Sequence, residues 1–395
     1  MDRRLITLAL GMFALGTDSF VVAGVLPEIS RSFHVSIGAA GQLTTVYALA
    51  YALLSPTAAA VFAHVERKKV MLSGLGIFIL ANLATAWAPT FALALAARAL
   101  AGFGAAMYAP TATGAGASIV SPEKRGFALS VVVAGLTFST ALGSPIGTVI
   151  GGLGDWRWTM IFVSAISMTA AIGIAILLKN IPLPPAITLK QRLAPFADHR
   201  IGLTLLTTLL VQAGNFAVYT YFAVIFDRAT HGNPLILGAL LVLWGTSGTV
   251  LNLIAGRLID TIGTRKILVS VLIVLIATTS TISWASAALL TAVIVIALHG
   301  ATSWGQLAAQ QHRLVSVMPS AAPIVLGLNT SFTYFGVASA GIIGAASLSL
   351  VGAHNIGWVA MALYVGALVA AEVTHRSIVK HQVDAPVPGL AAADA

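Results

Sequence analysis

The sequence predicts an all-α integral membrane protein, with twelve transmembrane helices arranged as two six-helix bundles. Composition is the first sign. Of 395 residues, 58% are hydrophobic and 8% charged, and the mean hydropathy is +0.95. Soluble globular chains carry about 25% charged residues, and a single soluble core stops growing near ~250–300 residues. The second sign is run length. The apolar residues come in stretches of roughly 20, enough to cross a ~30 Å hydrocarbon core as helices. Backbone groups must pair internally in lipid, and runs of this length favour helices over the ~10-residue alternating strands of a barrel. The third sign is the distribution of Lys and Arg described below.

Twelve apolar segments follow one another at approximately 5–26, 36–58, 70–87, 91–118, 127–150, 157–178, 201–225, 235–258, 266–285, 288–310, 324–348 and 355–374. The first begins after Arg3 and Arg4 and imitates a signal peptide. It is too long for a typical h-region, contains Asp18 and leads directly into more membrane segments, so it reads as a retained first helix. With the N-terminus inside, 17 Lys and Arg residues fall on the inner side, and only Arg31, Arg157 and Arg228 on the outer. That bias places both termini in the cytoplasm and supports an even number of spans. It also accounts for the net charge of +9 without nucleic acid. The chain has no cysteine, which excludes disulfides, thiol catalysis and cysteine metal sites.

The longest internal connection, 179–200, contains Pro182, Pro184, Pro185 and Pro195 with four basic residues. It divides the chain into an N-terminal bundle (1–178) and a C-terminal bundle (201–376), followed by an Ala/Pro-rich tail (377–395) expected to be disordered. An internal repeat supports the division. Ala63 to Val70, after the second segment, aligns with Asp260 to Ile267, after the eighth, at an offset of 197 residues. Paired halves of a membrane chain are the sign of a repeat-built transporter.

Asp18 is the one acidic residue well inside an apolar segment, and a carboxylate in lipid requires a partner or a proton. Arg98, in the fourth segment, is the one basic residue inside a helix. Asp18 lies eight residues before the outer end of its segment and Arg98 seven after the outer end of its own, so both sit about 11–12 Å deep at ~1.5 Å per residue. Opposite charges at matching depth predict a pair. Asp18 is expected to carry the proton and Arg98 to govern when it leaves; the alternative is a structural ion pair that never titrates. Sparse polar groups among apolar walls mark a candidate cavity. Gln212, Asn215 and Tyr219 share one helical face; Tyr47 and Tyr51 share another, with Thr44. His299, Trp304 and Asn329 complete the set. For each of these, interhelical hydrogen bonding is the competing role, and His299 is the alternative protonation site.

The stretch Gly256-Arg257-Leu258-Ile259-Asp260-Thr261-Ile262-Gly263-Thr264-Arg265-Lys266 resembles the cytoplasmic signature of the major facilitator superfamily. In that family the loop latches the two halves in the outward-facing state. The resemblance gives Gly256 a close helix approach, Asp260 a helix N-terminus or an Arg to hold, and Gly263, Arg265 and Lys266 the rest of the motif. The first copy departs from it. Ala59, Ala63 and Glu66 replace Gly, Asp and Gly, and only Arg67, Lys68 and Lys69 survive. This eroded form resembles the sugar-efflux and chloramphenicol-resistance groups of the drug–proton antiporter branch. Arg98 to Gly102 is similar to that branch's Arg-x-x-x-Gly motif. Gly143-Ser144-Pro145-Ile146-Gly147 resembles its antiporter motif, expected to bend helix 5 and pack it between the halves. Asp155-Trp156-Arg157-Trp158 matches the family's entry to helix 6. The resemblance runs from Leu5 to about Thr374.

It implies proton-coupled efflux of a small organic molecule, such as a drug, by alternating access in a bacterial-type inner membrane. Proton is the coupling ion, no other cofactor is expected, and the expected partners are substrate, protons and lipid, with a monomeric chain. A sugar, arabinose-type or nucleoside exporter is the near alternative, and a non-transporting membrane sensor the distant one. No phosphate loop, metal cluster or catalytic triad is visible, and no enzyme activity is expected.

Overall fold

The computed structural model describes residues 2–179, 181 and 187–384. Among these, every regular element is helical, and twelve helices are long and apolar enough to span a membrane. They are helix 1 (Arg3–Gly24), helix 2 (Ile37–Val61), helix 3 (Arg67–Ala86), helix 4 (Phe91–Ser118), helix 5 (Arg125–Leu153) and helix 6 (Trp156–Leu177). The second half comprises helix 7 (His199–Thr220), helix 8 (Pro234–Ile262), helix 9 (Thr264–Ala285), helix 10 (Leu289–Val317), helix 11 (Pro319–Leu350) and helix 12 (Ala353–His381). Their outer faces carry large apolar side chains suited to lipid, such as Leu80, Leu290 and Leu350, each at least two-thirds exposed.

Polar residues punctuate the helices. Ser36, Thr90 and Asp155 cap helices 2, 4 and 6, each side chain accepting from a backbone N–H in the first turn. Asp198 caps helix 7 by accepting from the Arg200 N–H at 2.9 Å, and its carboxylate takes the Arg200 guanidinium at 2.6 Å. This ion pair holds the Asp198 carboxyl below its ordinary range. Gly263 joins helices 8 and 9 at φ 94°, a conformation few other residues accept.

Four boundaries differ from the sequence reading. Helix 10 runs to Val317 rather than to about residue 310, so Arg313, expected on the inner side, is buried within a helix and Arg98 is not alone among basic residues in being so placed. Helix 1 is α-helical to Val21, tightens into a 3-10 turn at Val22–Gly24 and stops; Leu26 opens a separate short helix, Leu26–Phe33, with Pro27 in its first turn. Helix 7 ends at Thr220, and the chain continues in two short helices, Phe222–Ile225 and Asp227–Thr230. The helix of the twelfth segment continues to Asp384, so residues 377–384 are helical rather than part of a disordered tail. Arg376 and Lys380 mark a membrane edge, but a helix in water needs no apolar run to continue. The connection 179–200 contains a helical turn, Leu189–Leu193, capped by Thr188, then a 3-10 turn, Ala194–Ala197. Pro182, Pro184, Pro185 and the tail 385–395 lie outside the described residues.

Helices 1–6 and helices 7–12 each pack as a bundle, and the bundles meet mainly on the face opposite the termini. There, Gln42 Nε2 donates to the Gly341 carbonyl at 3.1 Å and the Ser144 and Tyr219 hydroxyls meet at 3.0 Å. Helix 2 crosses helix 11 and helix 5 crosses helix 8 at small residues. A Cβ at Gly245 would strike the Thr140 carbonyl. One at Gly38 would sit 3.1 Å from Ala345 Cβ. Tyr51 and Tyr334 stack at mid-depth, with centroids 3.9 Å apart. Nearer the termini, buried clusters belong to one half each: Ala58, Val70 and Met107 in the first, Ile201, Leu205, Leu314, Val325 and Leu328 in the second. The halves are closed on the far face and parted on the terminal face.

Candidate functional site

The floor of the inter-half region is an ion pair wholly inside the first bundle. Asp18 is 0% and Arg98 1% exposed. Arg98 Nη1 donates to Asp18 Oδ1 at 2.6 Å and to Asn82 Oδ1 at 3.4 Å, and Nη2 approaches the Asp18 backbone carbonyl at 3.5 Å. The guanidinium carbon lies 4.6 Å from the centre of the Tyr47 ring. Helices 1, 2, 3 and 4 therefore each supply one group. Close packing sets the depths: a Cβ at Gly102 would meet the Tyr47 carbonyl, so helix 4 lies directly on helix 2 one turn below Arg98. Asn82 is aimed by its own amide, which donates to the Phe78 carbonyl at 3.1 Å.

The pair is only partly satisfied. Asp18 Oδ2 and Arg98 Nε find no partner among the described residues. A side-on Arg–carboxylate fork, through Nε and Nη2, would have used both. One carboxylate oxygen thus stays open to a proton while the other holds the cation. Beside it, Ser19 Oγ reaches the Tyr47 hydroxyl at 3.1 Å. From the second half, Tyr334 stacks on Tyr51, one turn along helix 2 from Tyr47.

Above the pair, towards the far face, aromatic side chains close the gap between the halves. Phe20 of helix 1 stacks on Phe216 at 5.7 Å and meets the edges of Tyr219 and Trp304 at 5.6 and 5.9 Å. Tyr219 also packs on Trp244 at 4.6 Å.

The structure divides the sequence-derived set into groups. Tyr47 and Tyr51 belong with the ion pair. Tyr219 and Trp304 belong with the aromatic closure. Gln212, Asn215 and His299 are buried in the second bundle, where Asn215 Oδ1 accepts from Ser303 at 2.8 Å. Asn329 Oδ1 accepts from Thr208 at 2.8 Å, a helix 11 to helix 7 bond. His299 and Trp304 lie five residues apart and face differently: His299 towards Tyr364 of helix 12, Trp304 towards Phe20.

In helix 5, Ser139–Gly143 is π-helical. Pro145 cannot donate to Ala141, and the ladder widens by one residue just before it. The widened turn presents the Thr140 carbonyl to Gly245. Gly143 and Gly147 lie against Thr17 and Val21 of helix 1, where a side chain would collide.

The helix 8–9 loop departs from its expected packing. Nothing lies within 4 Å of a Cβ at Gly256, and Asp260 is exposed with no partner among the described residues. Neither the close approach nor the cap is made, because the halves are parted at this face. Arg265 instead pairs with Glu372 of helix 12 at 2.7 Å, while Lys266 is unpaired among the described residues.

Asn82, Ser19, Tyr334, Phe20, Phe216 and Trp244 were not singled out by sequence reasoning. The repeat could have found two of them. At the 197-residue offset, Asp18 aligns with Asn215, Tyr47 with Trp244 and Asn82 with Thr279.

Residues 8–340 match the sequence profile of the Major Facilitator Superfamily. The uncharacterized MFS-type transporter YbcL of Bacillus subtilis is 27% identical over 352 residues, covering 89% of this chain and 90% of its own. A chloramphenicol resistance protein of Streptomyces lividans is 30% identical over 268 residues, covering 66% and 67%. A probable sugar efflux transporter of Mannheimia succiniciproducens is 26% identical over 363 residues, covering 91% and 90%. The chain belongs to the Major Facilitator Superfamily and is a transporter rather than an enzyme.

Proposed function

We propose that this member of the Major Facilitator Superfamily exports a small organic molecule in exchange for protons. The carrying observation is the buried Asp18–Arg98 pair, with Asp18 Oδ2 open. While Arg98 holds Oδ1, the carboxylate is neutralised without a proton. When the halves rock and the contact opens, Arg98 retains Asn82 and the Tyr47 ring, and Asp18 takes a proton from the side then exposed. Closing the contact expels that proton. The Lys and Arg bias supports cytoplasmic termini in a bacterial-type inner membrane, so the parted face would be the cytoplasmic one.

Aromatic walls from Phe20, Phe216, Tyr219, Trp244 and Trp304 suit a ligand with a flat apolar body, as does the likeness to a chloramphenicol resistance protein. The likeness to a probable sugar efflux transporter favours the second reading, a sugar, arabinose-type or nucleoside exporter with the same machinery. Both readings have a monomer working alone in the bilayer.

The test is proteoliposome efflux with an imposed pH gradient, using a panel that includes chloramphenicol, sugars and nucleosides. It is joined to proton release on ligand binding in detergent, wild type against Asp18→Asn. Equal proton release by both proteins removes Asp18 from the coupling role.

A further inference from the structure

Helix 10 carries a second buried polar feature that the Asp18 site does not use. His299, Ser303, Gln306, Gln310 and Arg313 recur at intervals of four, three, four and three, and so share one face. All five are buried, Gln306 and Gln310 completely. At ~1.5 Å per residue they line about 21 Å of the second bundle's interior. Some of their groups are satisfied. Ser303 donates to Asn215 Oδ1 of helix 7 or, alternatively, to the His299 carbonyl at 2.6 Å. Gln310 Nε2 donates to the Thr204 carbonyl at 3.3 Å and Arg313 Nη1 to the Ala371 carbonyl of helix 12 at 3.3 Å. Others are not. Both ring nitrogens of His299, both amide atoms of Gln306, Oε1 of Gln310 and the Tyr364 hydroxyl find no partner among the described residues.

The first bundle supplies a control. Gly102 on the Tyr47 carbonyl and Gly300 on the Trp244 carbonyl mark the same helix crossing in the two halves. In that register the polar face of helix 10 corresponds to Ala101, Ala105, Tyr108, Ala112 and Ala115 of helix 4, every one 0% exposed. Its single polar group is satisfied, the Tyr108 hydroxyl donating to the Leu8 carbonyl at 2.9 Å. The fold therefore packs this face with four alanines and a tyrosine whose hydroxyl is paired within the protein, and leaves no polar side-chain atom there without a partner among the described residues. Buried polar groups in native proteins are almost always paired, and bound water is the usual partner where protein supplies none.

We propose that a chain of bound waters runs between helices 7, 10 and 12 from the terminal face at Arg313 to His299, and that His299 exchanges its proton along it. At the terminal end, Arg313 neighbours the partly exposed Arg265–Glu372 pair, which gives the chain access to bulk water. At the inner end, a proton arriving on the last water passes to a free ring nitrogen of His299. Tyr364 of helix 12, rings 6.4 Å apart, is the titratable group placed against His299 among the described residues. Helix 7 brings Asn215 to Ser303, one turn from His299, with Gln212 beside Asn215, and helix 8 brings Trp244 and Ser247 to Gly300. Helix 9 carries Arg265 and Lys266 at its terminal end, helix 11 carries Tyr334, stacked on Tyr51, and helix 10 itself carries no other titratable group until His312 and Arg313. This route is separate from the Asp18 pair and does not depend on it.

Hydroxyl-radical footprinting of the full chain in lipid nanodiscs reads it directly, because radicals generated from bound water oxidise the side chains beside it. His299 and Tyr364 are expected to oxidise several-fold faster than Tyr108, equally buried but in the dry bundle. Gln306→Leu is expected to bring both towards the Tyr108 rate, with Gln306→Asn retaining the labelling and serving where the leucine variant does not fold. Oxidation of His299 and Tyr364 at the Tyr108 rate in the unaltered protein overturns the water chain. For the proton, dye-detected uptake after an acid step is compared between Asp18→Asn and Asp18→Asn/His299→Gln. The double variant should take up about one proton fewer, and equal uptake overturns the role given to His299.

Discussion

The Asp18–Arg98 pair makes a quantitative prediction that separates a structural from a coupling role. Asp18→Asn leaves Arg98 1% exposed with no counter-charge, held by neutral groups alone: an amide oxygen at position 18, the residue 18 carbonyl at 3.5 Å, Asn82 at 3.4 Å and the Tyr47 ring. Arg98→Met strands the carboxylate in the same pocket. Removing one member of a buried pair destabilises by about 3–5 kcal/mol, whereas replacing both with neutral groups of similar volume is often neutral or even stabilising. The double variant Asp18→Asn/Arg98→Met should therefore be more stable than either single variant, with a coupling energy of at least ~2 kcal/mol. Unfolding in nanodiscs, followed by tryptophan fluorescence, measures this cycle. Additive single effects would refute the buried contact. Transport then decides the role. The double variant is expected to bind ligand yet fail to export it against a gradient under a pH difference. Recovery of pH-driven export with the wild-type profile would show the pair to be a structural device.

Other expectations follow from the geometry. The chain has no cysteine, so single cysteines at Ser121 and Thr188 should label from the face of the termini, and at Asp155 and Asp227 from the opposite face; the reverse pattern would end the assigned topology. Gly245→Leu drives a side chain into the Thr140 carbonyl and should open the far face, raising labelling of a cysteine at Ser144 several-fold. Tyr334→Leu removes the stack on Tyr51 and should weaken the far-closed state by ~0.5–1.5 kcal/mol, up to about tenfold in population, with Tyr334→Phe close to wild type; spin-label distances across the far face measure it. Asp260→Asn should leave ligand binding in the present conformation unchanged and slow turnover, because Asp260 has no partner here to lose among the described residues; unchanged turnover would make the loop a topological signal only.

The fold was legible because lipid allows so few solutions. Backbone groups that must pair internally force apolar runs of one length, and those runs stand out in any sequence. Legibility stopped where lipid stops. The end of helix 1 at the Val22–Gly24 turn and the continuation of helix 12 to Asp384 depend on local backbone preferences in water or in the protein interior, where no single period governs. Asp18 and Arg98 were findable for the same reason as the helices: a charge in hydrocarbon must be answered by another at its own depth. Asn82 and Ser19 were not, since a neutral polar side chain can bond back to its own helix, as both do, and leave no sign of a second role. Pro145 announced a bend but not its form. The π-helical turn that carries the Thr140 carbonyl to Gly245 depends on what the opposite half presents there.

The two halves repeat the scaffold and divide the chemistry. Where the first half places Asp18, Asn82 and Tyr47, the second places Asn215, Thr279 and Trp244, and Ile296 takes the place of Arg98 in the register set by Gly102 and Gly300. The charged pair is thus confined to one bundle, although the helix crossing that holds it occurs in both. The reverse holds on the next face, where four alanines and Tyr108 of helix 4 answer the His299 to Arg313 face of helix 10. If these polar groups served stability alone, repetition would be the simpler outcome, because the same packing would need the same support twice. Each half instead carries one set of buried polar groups that its counterpart shows to be dispensable for packing. Two inter-half contacts lie close to the pair, Tyr334 of helix 11 on Tyr51 of helix 2 and Trp304 of helix 10 against Phe20 of helix 1. Helix 1 bears the carboxylate and sets Phe20, two residues on, against Phe216 and Trp304 of the second half, so the charged pair lies next to the inter-half contact as well as within its own bundle.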